Sequence, residues 1–441
     1  MTVRDAAAEP GTGLGAPALV PDDGTGTDAA GPDVRRILAR CDELATISAH
    51  PDRLERLHLT PEHARAHDLV ETWMREAGMR TWQDAAGNRW GRVEGAEPGL
   101  PALVLGSHTD TVPDAGRYDG MLGVVLAIAV VERLRGLRLP FALEVVAFSD
   151  EEGTRFALPL LGSRAVAGLW DPAVLDVTDA DGVSVAAALE AFGLDPARVG
   201  DAARRPEDVV GYLEAHIEQG PELEAADRSL AVVSSIAGAR RFAITVTGEA
   251  RHAGGTPYPR RRDALVGASE IVVAIEAAAR PTPCLATVGR LTVAPGAVNV
   301  IAGRAELTLD LRAESDAARD AMFAQLHAEM LRVCERRGLT LDVRETHSAP
   351  STPCAPWLQD AVAAGIRASG DAEPVVMWSR AGHDGMAVAA VTDVGMLFLR
   401  CHDGISHHRD EDVRAIDVAR ALDAFEGAVR ACAQVPGGET R

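Results

Sequence analysis

The sequence predicts an α/β protein in two domains: a discontinuous larger domain with a mixed sheet covered by helices, and a small α+β domain inserted into it. Three observations carry this expectation. At 441 residues the chain exceeds what one hydrophobic core ordinarily supports. The segments Ala102–Gly106, Met121–Leu134 and Leu143–Phe148 run strand, helix, strand and are largely apolar, as in a sheet covered on both faces. Beyond Ser235 the pattern changes to alternating strands and two long helices in the order βαββαβ, before the earlier alternation of helix and strand resumes near residue 348.

Residues 1–32 are rich in Ala, Gly, Asp and Pro and lack both a basic and an apolar signal region, so a disordered leader is expected there, not a signal peptide. The first part of the larger domain spans 33–235. It opens with a helix from Val34 to about Ile47 capped by Asp33, then a helix with Thr60 as N-cap, Pro61 in the first turn and Gly78 after the last. Arg80–Asp84 and Arg89–Val93 read as a hairpin around Ala85–Asn88. Asp171 to Asp208 reads as helical and polar surface packing, and Val209–Ile217 as a strand. The inserted domain spans 236–347. Its strands are Arg241–Thr247, Leu285–Val293, Arg304–Arg312 and Leu339–Glu345, and its helices Arg261–Ala279 and Ser315–Arg337. Residues 348–435 complete the larger domain with Asp360–Ser369, Val375–Met377, Asp384–Ala390, Met396–Leu399 and Asp412–Cys432, leaving 436–441 as a tail.

Composition narrows the function classes. No apolar run approaches membrane-spanning length, so a soluble protein with no membrane partner is expected. A net charge of −21 argues against a nucleic-acid surface, which needs a positive field. Six scattered cysteines without a C-x-x-C pair suit reduced, mostly buried thiols of a cytoplasmic protein. The chain contains no lysine, so all 44 basic residues are arginines, which excludes Schiff-base catalysis and a P-loop lysine.

Two signatures follow apolar strands. In Gly106–Val112, GSHTDTV, Asp110 sits two residues from His108, where it can accept a ring N–H and fix the imidazole tautomer, as carboxylates behind metal ligands do. In Ser149–Gly153, SDEEG, the paired acids Glu151 and Glu152 point in different directions, so one can ligate metal while the other takes a proton from water. Asp119, before Gly120 and a helix, can bridge two ions with its two oxygens. Each signature alone also fits a solvated surface turn. His50, His58, His63, His67, His327 and His347 fit structural or surface roles.

Taken with HIEQGP at 216–221, GEARHAGGTP at 248–257, APGAVNVI at 294–301, DLR at 310–312, AGHD at 381–384 and GISHHRDE at 404–411, these stretches resemble the M20-type metal-dependent amidohydrolases. They are most similar to the allantoate amidohydrolase and N-carbamoyl-L-amino-acid hydrolase branch, in order, over about residues 34 to 432. The resemblance implies two divalent ions held by His108, Asp119, Glu152, His216 and His407 with Asp119 bridging, and such His and carboxylate donors suit zinc, manganese, cobalt and nickel alike. It implies Glu151 as general base, and substrate contacts from Gln219, His252, Asn299, Arg312 and Gly382. It further implies a homodimer made through the inserted lid domain, with His252 reaching the neighbouring subunit's active site to stabilise the oxyanion. Hydrolysis of a small carbamoyl or ureido compound with release of ammonia follows from the same source. An aminoacylase or dipeptidase on the same metal centre, and a non-catalytic metal-binding scaffold of the same fold, are the alternatives.

Residue chemistry leaves some roles open. Arg312 suits a bidentate grip on a substrate carboxylate, but can equally pair with Asp310 or Glu314. Asn299 can instead cap the turn after Pro295-Gly296, and spacing alone does not choose between His407 and His408. Three positions depart from the branch pattern beside expected substrate contacts: Arg380 where a glycine is usual, Tyr258 for methionine, and Arg400-Cys401 for Pro-Ser. Arg380 can add an anion contact or point outward.

Overall fold

The computed structural model describes residues 31–434. The expected leader, apart from Gly31 and Pro32, and the tail 436–441 lie outside them. A nine-stranded mixed sheet forms the larger layer. Its order is Arg80–Gln83, Arg89–Val93, Ala142–Phe148, Ala102–His108, Val209–Ile217, Val394–Leu399, Leu230–Ile236 and Thr352–Pro353, with Val375–Ser379 also pairing with Leu230–Ile236. Ala102–His108 is parallel to both neighbours, and Val209–Ile217 is parallel to Val394–Leu399. These central strands are buried along nearly their whole length, because helices cover both faces.

Met121–Arg133 is the central helix, with every residue from Met121 to Val131 buried. It needs no polar face because it lies between the sheet and the helices Pro32–Ala45 and Ala415–Cys432. Gly123 permits that approach, since a Cβ there would stand 2.3 Å from the carbonyl oxygen of Ala215.

Gly238–Thr247, Leu291–Ala294, Arg304–Ala313 and Thr340–Ala349 form an antiparallel second sheet, with Leu285–Thr287 pairing with Arg304–Ala313. Strand Arg304–Ala313 alternates between buried and more exposed residues. Its buried side chains pack with helices Ala264–Ala279 and Asp316–Arg337 in a core separate from that of the large sheet. A third small sheet pairs Arg251–His252 with Val300–Ile301.

Several local expectations are corrected. Thr60 does cap its helix, accepting the His63 N–H. Asp33 does not cap the first helix. That helix starts at Pro32, and the Asp33 carboxylate accepts from Arg36 and Arg133 instead. Leu285–Val293 is instead two strands, Leu285–Thr287 and Leu291–Ala294, which pair with Arg304–Ala313 in registers one residue apart. Leu230–Ile236, unassigned from sequence, is an interior strand of the large sheet. Asp171–Asp208 is not mere surface packing. Its short helical turns close over a small core of their own, including Phe156, Leu161, Val185 and Leu189.

Candidate metal centre and substrate cavity

Neighbouring parallel strands deliver the first ligand candidates to one edge. His108 ends one strand opposite Phe148, which leads into Ser149–Glu152, and His216 lies at the end of Val209–Ile217. The carboxyl ends of such strands are where α/β sheets place their sites, because chains diverge there around a rigid frame. Asp119 arrives from the turn before the central helix. Gly120, at φ +68°, makes that turn possible and leaves room for the imidazole, since a Cβ would lie 2.5 Å from the His108 ring. His407 comes from the loop after Val394–Leu399. Both His407 and Gln219 are non-glycine residues at φ +56°, a conformation that concentrates at functional sites.

Asp119 divides the cluster. Its Oδ1 lies 3.5 Å from His108 Nε2 and 3.1 Å from His216 Nε2. Its Oδ2 lies 3.2 Å from His407 Nε2, which is also 3.6 Å from Glu152 Oε1. Gln219 donates to Oδ2 at 2.8 Å, and Ser406 at 2.7 Å. His108, Asp119 and His216 form one group of converging donors, and Asp119, Glu152 and His407 another. The neighbouring His408 turns to Asp410 instead.

The donor set fits divalent ions. His216 Nε2 is buried yet makes no hydrogen bond, an arrangement that a metal satisfies. Burial, reinforced by Glu152, pushes Glu151 well above the usual carboxylate range, and burial with Asp119 pushes Glu152 up to about 7. Burial opposes charge on Asp119 as well, but His108, His216 and His407 outweigh it and hold this carboxyl well below its ordinary range. His108 is likewise drawn upward by Asp110 and Asp119 against the cost of burial.

Asp110 stays beside the His108 ring, its carboxylate 3.4 Å from Nδ1, and has a further task. Its oxygens accept the backbone N–H groups of Glu151 and Glu152 at 3.0 and 3.1 Å, so it pins the acidic turn to the histidine strand. His108 Nδ1 lies nearer the Asp110 backbone oxygen, at 3.1 Å, than the carboxylate, at 3.4 Å. Sequence reasoning missed a matching brace, Glu411, which accepts the N–H groups of Tyr118 and Asp119 and a contact from Ser406. Its only sequence signal is its place at the end of GISHHRDE. The structural histidines also support the site from below: His58 Nδ1 contacts the Ser149 carbonyl at 2.7 Å, and His67 Nε2 the Thr109 hydroxyl at 2.8 Å.

A cavity of about 720 Å³ opens above these groups. His108, Asp119, Glu151, Glu152, His216 and His407 line it, as do Gln219, Gly382 and Arg312. Arg312 pairs with Asp310 at 2.8 Å, the partner its alternative reading named, while lining the cavity. His347, expected in a structural or surface role, reaches the cavity too. His252 and Asn299 do not line it. They lie side by side on the exposed Arg251–His252 ribbon, where Ala253 donates to the Asn299 carbonyl at 2.9 Å. Of the three departures only Arg380 lines the cavity. Tyr258 is 82% exposed, and Arg400 is buried against Asp417.

Converging imidazoles and carboxylates at strand ends, with an acid beside an open cavity, have the donor set of a metal-dependent hydrolase. The chain belongs to peptidase family M20/M25/M40, whose model matches residues 104–431. It is 40% identical over 417 residues to a probable allantoate deiminase of Oryza sativa subsp. japonica, covering 86% of this chain and 84% of that relative. It is 39% identical to an N-carbamoyl-L-amino acid amidohydrolase of Geobacillus stearothermophilus, over 84% of this chain and 92% of that one. Among solved structures, an amidase of the hydantoinase/carbamoylase family from Burkholderia multivorans superposes with TM-score 0.84 at 34% identity, covering 90% of this chain and 98% of its own. Among the described residues no helix is long and apolar enough to cross a membrane.

Proposed function

We propose that this amidohydrolase is a dinuclear metal enzyme that cleaves linear C–N bonds of carbamoyl or ureido compounds, of the N-carbamoyl-L-amino acid or allantoate type, with release of ammonia. The division of Asp119 carries the proposal: one oxygen faces His108 and His216, and the other faces His407 beside Glu152. Those five residues are the ligands, with Asp119 shared. Imidazole and carboxylate donors suit zinc, manganese, cobalt and nickel alike. When bound, the ions acidify water and polarise a carbonyl oxygen.

Glu151 is the general base. It takes a proton from water as the water oxygen bonds to the carbonyl carbon, then returns it to the leaving nitrogen as the C–N bond breaks. Arg312 holds the substrate carboxylate, while Gln219 and Gly382 border the reacting group. A Cβ at Gly382 would stand 3.8 Å from Glu151 Oε1, which places this residue directly beside the base. For an N-carbamoyl amino acid the products are the amino acid, ammonia and carbon dioxide.

Residues 236–347 form the lid and dimerisation domain in this proposal, inserted between 33–235 and 348–435. The exposed position of His252 and Asn299 supports their delivery to the cavity of a second copy, where His252 stabilises the tetrahedral oxyanion. Closure brings the two domains together over substrate. Six free, buried cysteines support a cytoplasmic setting.

The test is ammonia release from carbamoyl, ureido and N-acyl compounds by protein stripped of metal and reloaded with manganese, cobalt or zinc. Release confined to carbamoyl or ureido compounds is expected. Free amino acid from N-acyl compounds without ammonia would place the protein with the aminoacylases instead.

A further inference from the structure

The cavity contains more positive charge than one substrate carboxylate needs. Four arginines line it, Arg164, Arg241, Arg312 and Arg380, in a chain whose net charge is −21. Among the described residues its only lining carboxylates are Asp119, Glu151 and Glu152, which the metal centre and the base already employ. Arg241 and Arg312 share a single acid, Asp310, at 2.9 and 2.8 Å. That pair therefore retains one positive charge in excess, enough for one carboxylate. Arg380 is neutralised by Glu222 and lies over the Trp378 ring, while its carbonyl accepts from Arg312.

Arg164 is different. Its guanidinium makes no hydrogen bond or ion pair with any of the described residues. It sits on the short helix Leu161–Val166, whose start is tied to the acidic turn: Leu160 N–H donates to the Glu151 carbonyl and Leu161 N–H to the Asp150 carboxylate. Ser163 and Ala165 on either side are buried, whereas Arg164 is half-buried and reaches the cavity. Gly162 seats this helix against Asn88 and Ser149, where a Cβ would meet atoms at 2.4 and 2.9 Å. An arginine on a fixed support with no protein anion is a preformed site for a ligand anion.

We propose that Arg164 binds a second carboxylate of the substrate, so that the preferred substrates are N-carbamoyl derivatives of acidic amino acids. The α-carboxylate is held from the Arg312 side and the side-chain carboxylate from the Arg164 side, with the carbamoyl group over the metal centre. This rests on the carbamoyl hydrolase function proposed above, and deepens it.

The test uses the metal-loaded full-length protein with N-carbamoyl-L-aspartate, N-carbamoyl-L-glutamate, N-carbamoyl-L-alanine, N-carbamoyl-L-methionine and allantoate. Wild type is expected to favour the acidic pair at least tenfold in kcat/KM. Arg164→Gln is expected to reduce the acidic-to-neutral ratio at least tenfold, and Arg164→Lys to restore part of it. A wild-type preference for neutral compounds or allantoate, or a ratio unchanged by Arg164→Gln, would overturn the proposal. Binding of L-glutamate and L-alanine, followed by calorimetry, separates the two ideas. If no carbamoyl compound is cleaved but glutamate binding exceeds alanine binding and depends on Arg164, the reaction is wrong and the dianion site stands. If binding shows no such dependence, the site fails as well.

Discussion

At the scale of single residues, the site depends on small groups at positions where a larger or differently charged one cannot function. Gly120 is the sharpest case, because its positive φ and the nearby His108 ring exclude a side chain on two independent grounds. Gly120→Ala is expected to fold but to lose most of its metal affinity, read by titration of stripped protein with a chelator-buffered ion. Glu151→Gln keeps the shape of the proposed base and removes its proton acceptance. We expect kcat to fall about 10²–10⁴-fold with metal content unchanged. Much at this scale is legible through the family resemblance: it implies His108, Asp119, Glu152, His216 and His407, and the structure brings these donors together. Glu411 is not legible, because a brace on backbone N–H groups leaves no mark in residue type or spacing. Arg164 escaped for a related reason, since its interest lies in lacking a partner, and partnership is visible only in three dimensions.

At the scale of elements, strand ends do the placing and loops do the adapting. Apolar runs such as Ala102–His108 were readable because burial on both faces leaves nearly continuous apolar sequence. Leu230–Ile236 has the same character, yet it borders the change in pattern near Ser235 and so escaped assignment. The interruption after Thr287 is also invisible, because a register change in one strand is set by its neighbour. Arg400 shows how a departure near an expected site can serve packing. It ties the end of strand Val394–Leu399 to Asp417 of helix Ala415–Cys432 and to Asp227. Arg400→Ala is expected to destabilise the protein by up to about 3 kcal/mol in urea unfolding, because Asp417 would remain buried with Arg414 as its remaining close arginine partner. Activity of the folded fraction should change far less than stability.

At the scale of the whole molecule, the catalytic edge rests on a buried layer of neutral histidines, which makes stability sensitive to acid. Burial pushes His58 down to about 4, and His63 and His67 well below the ordinary value of 6.5. Because the unfolded chain binds these protons first, their contribution is fully present above 6.5 and is lost as pH falls toward 4. For His58 alone the loss at the acid end is on the order of 3 kcal/mol. His58→Gln should therefore narrow its stability deficit relative to wild type as pH falls from 6.5 to 4, measured by denaturant unfolding. A constant deficit would show that His58 takes up its proton alike in the folded and unfolded chain, so that burial does not depress it. The assembly proposed above makes a second prediction at this scale. His252→Ala should retain the dimer and its metal while losing about 10²–10³ in kcat, because one oxyanion donor is removed.

The most direct measurement is the number of ions bound per chain after loading, by elemental analysis, in wild type, Asp119→Asn and His407→Ala. Two ions in wild type, one in His407→Ala, and fewer than two with lost turnover in Asp119→Asn are predicted. A single ion in wild type, or two ions and normal turnover in Asp119→Asn, would contradict a bridging carboxylate and with it the proposed dinuclear centre.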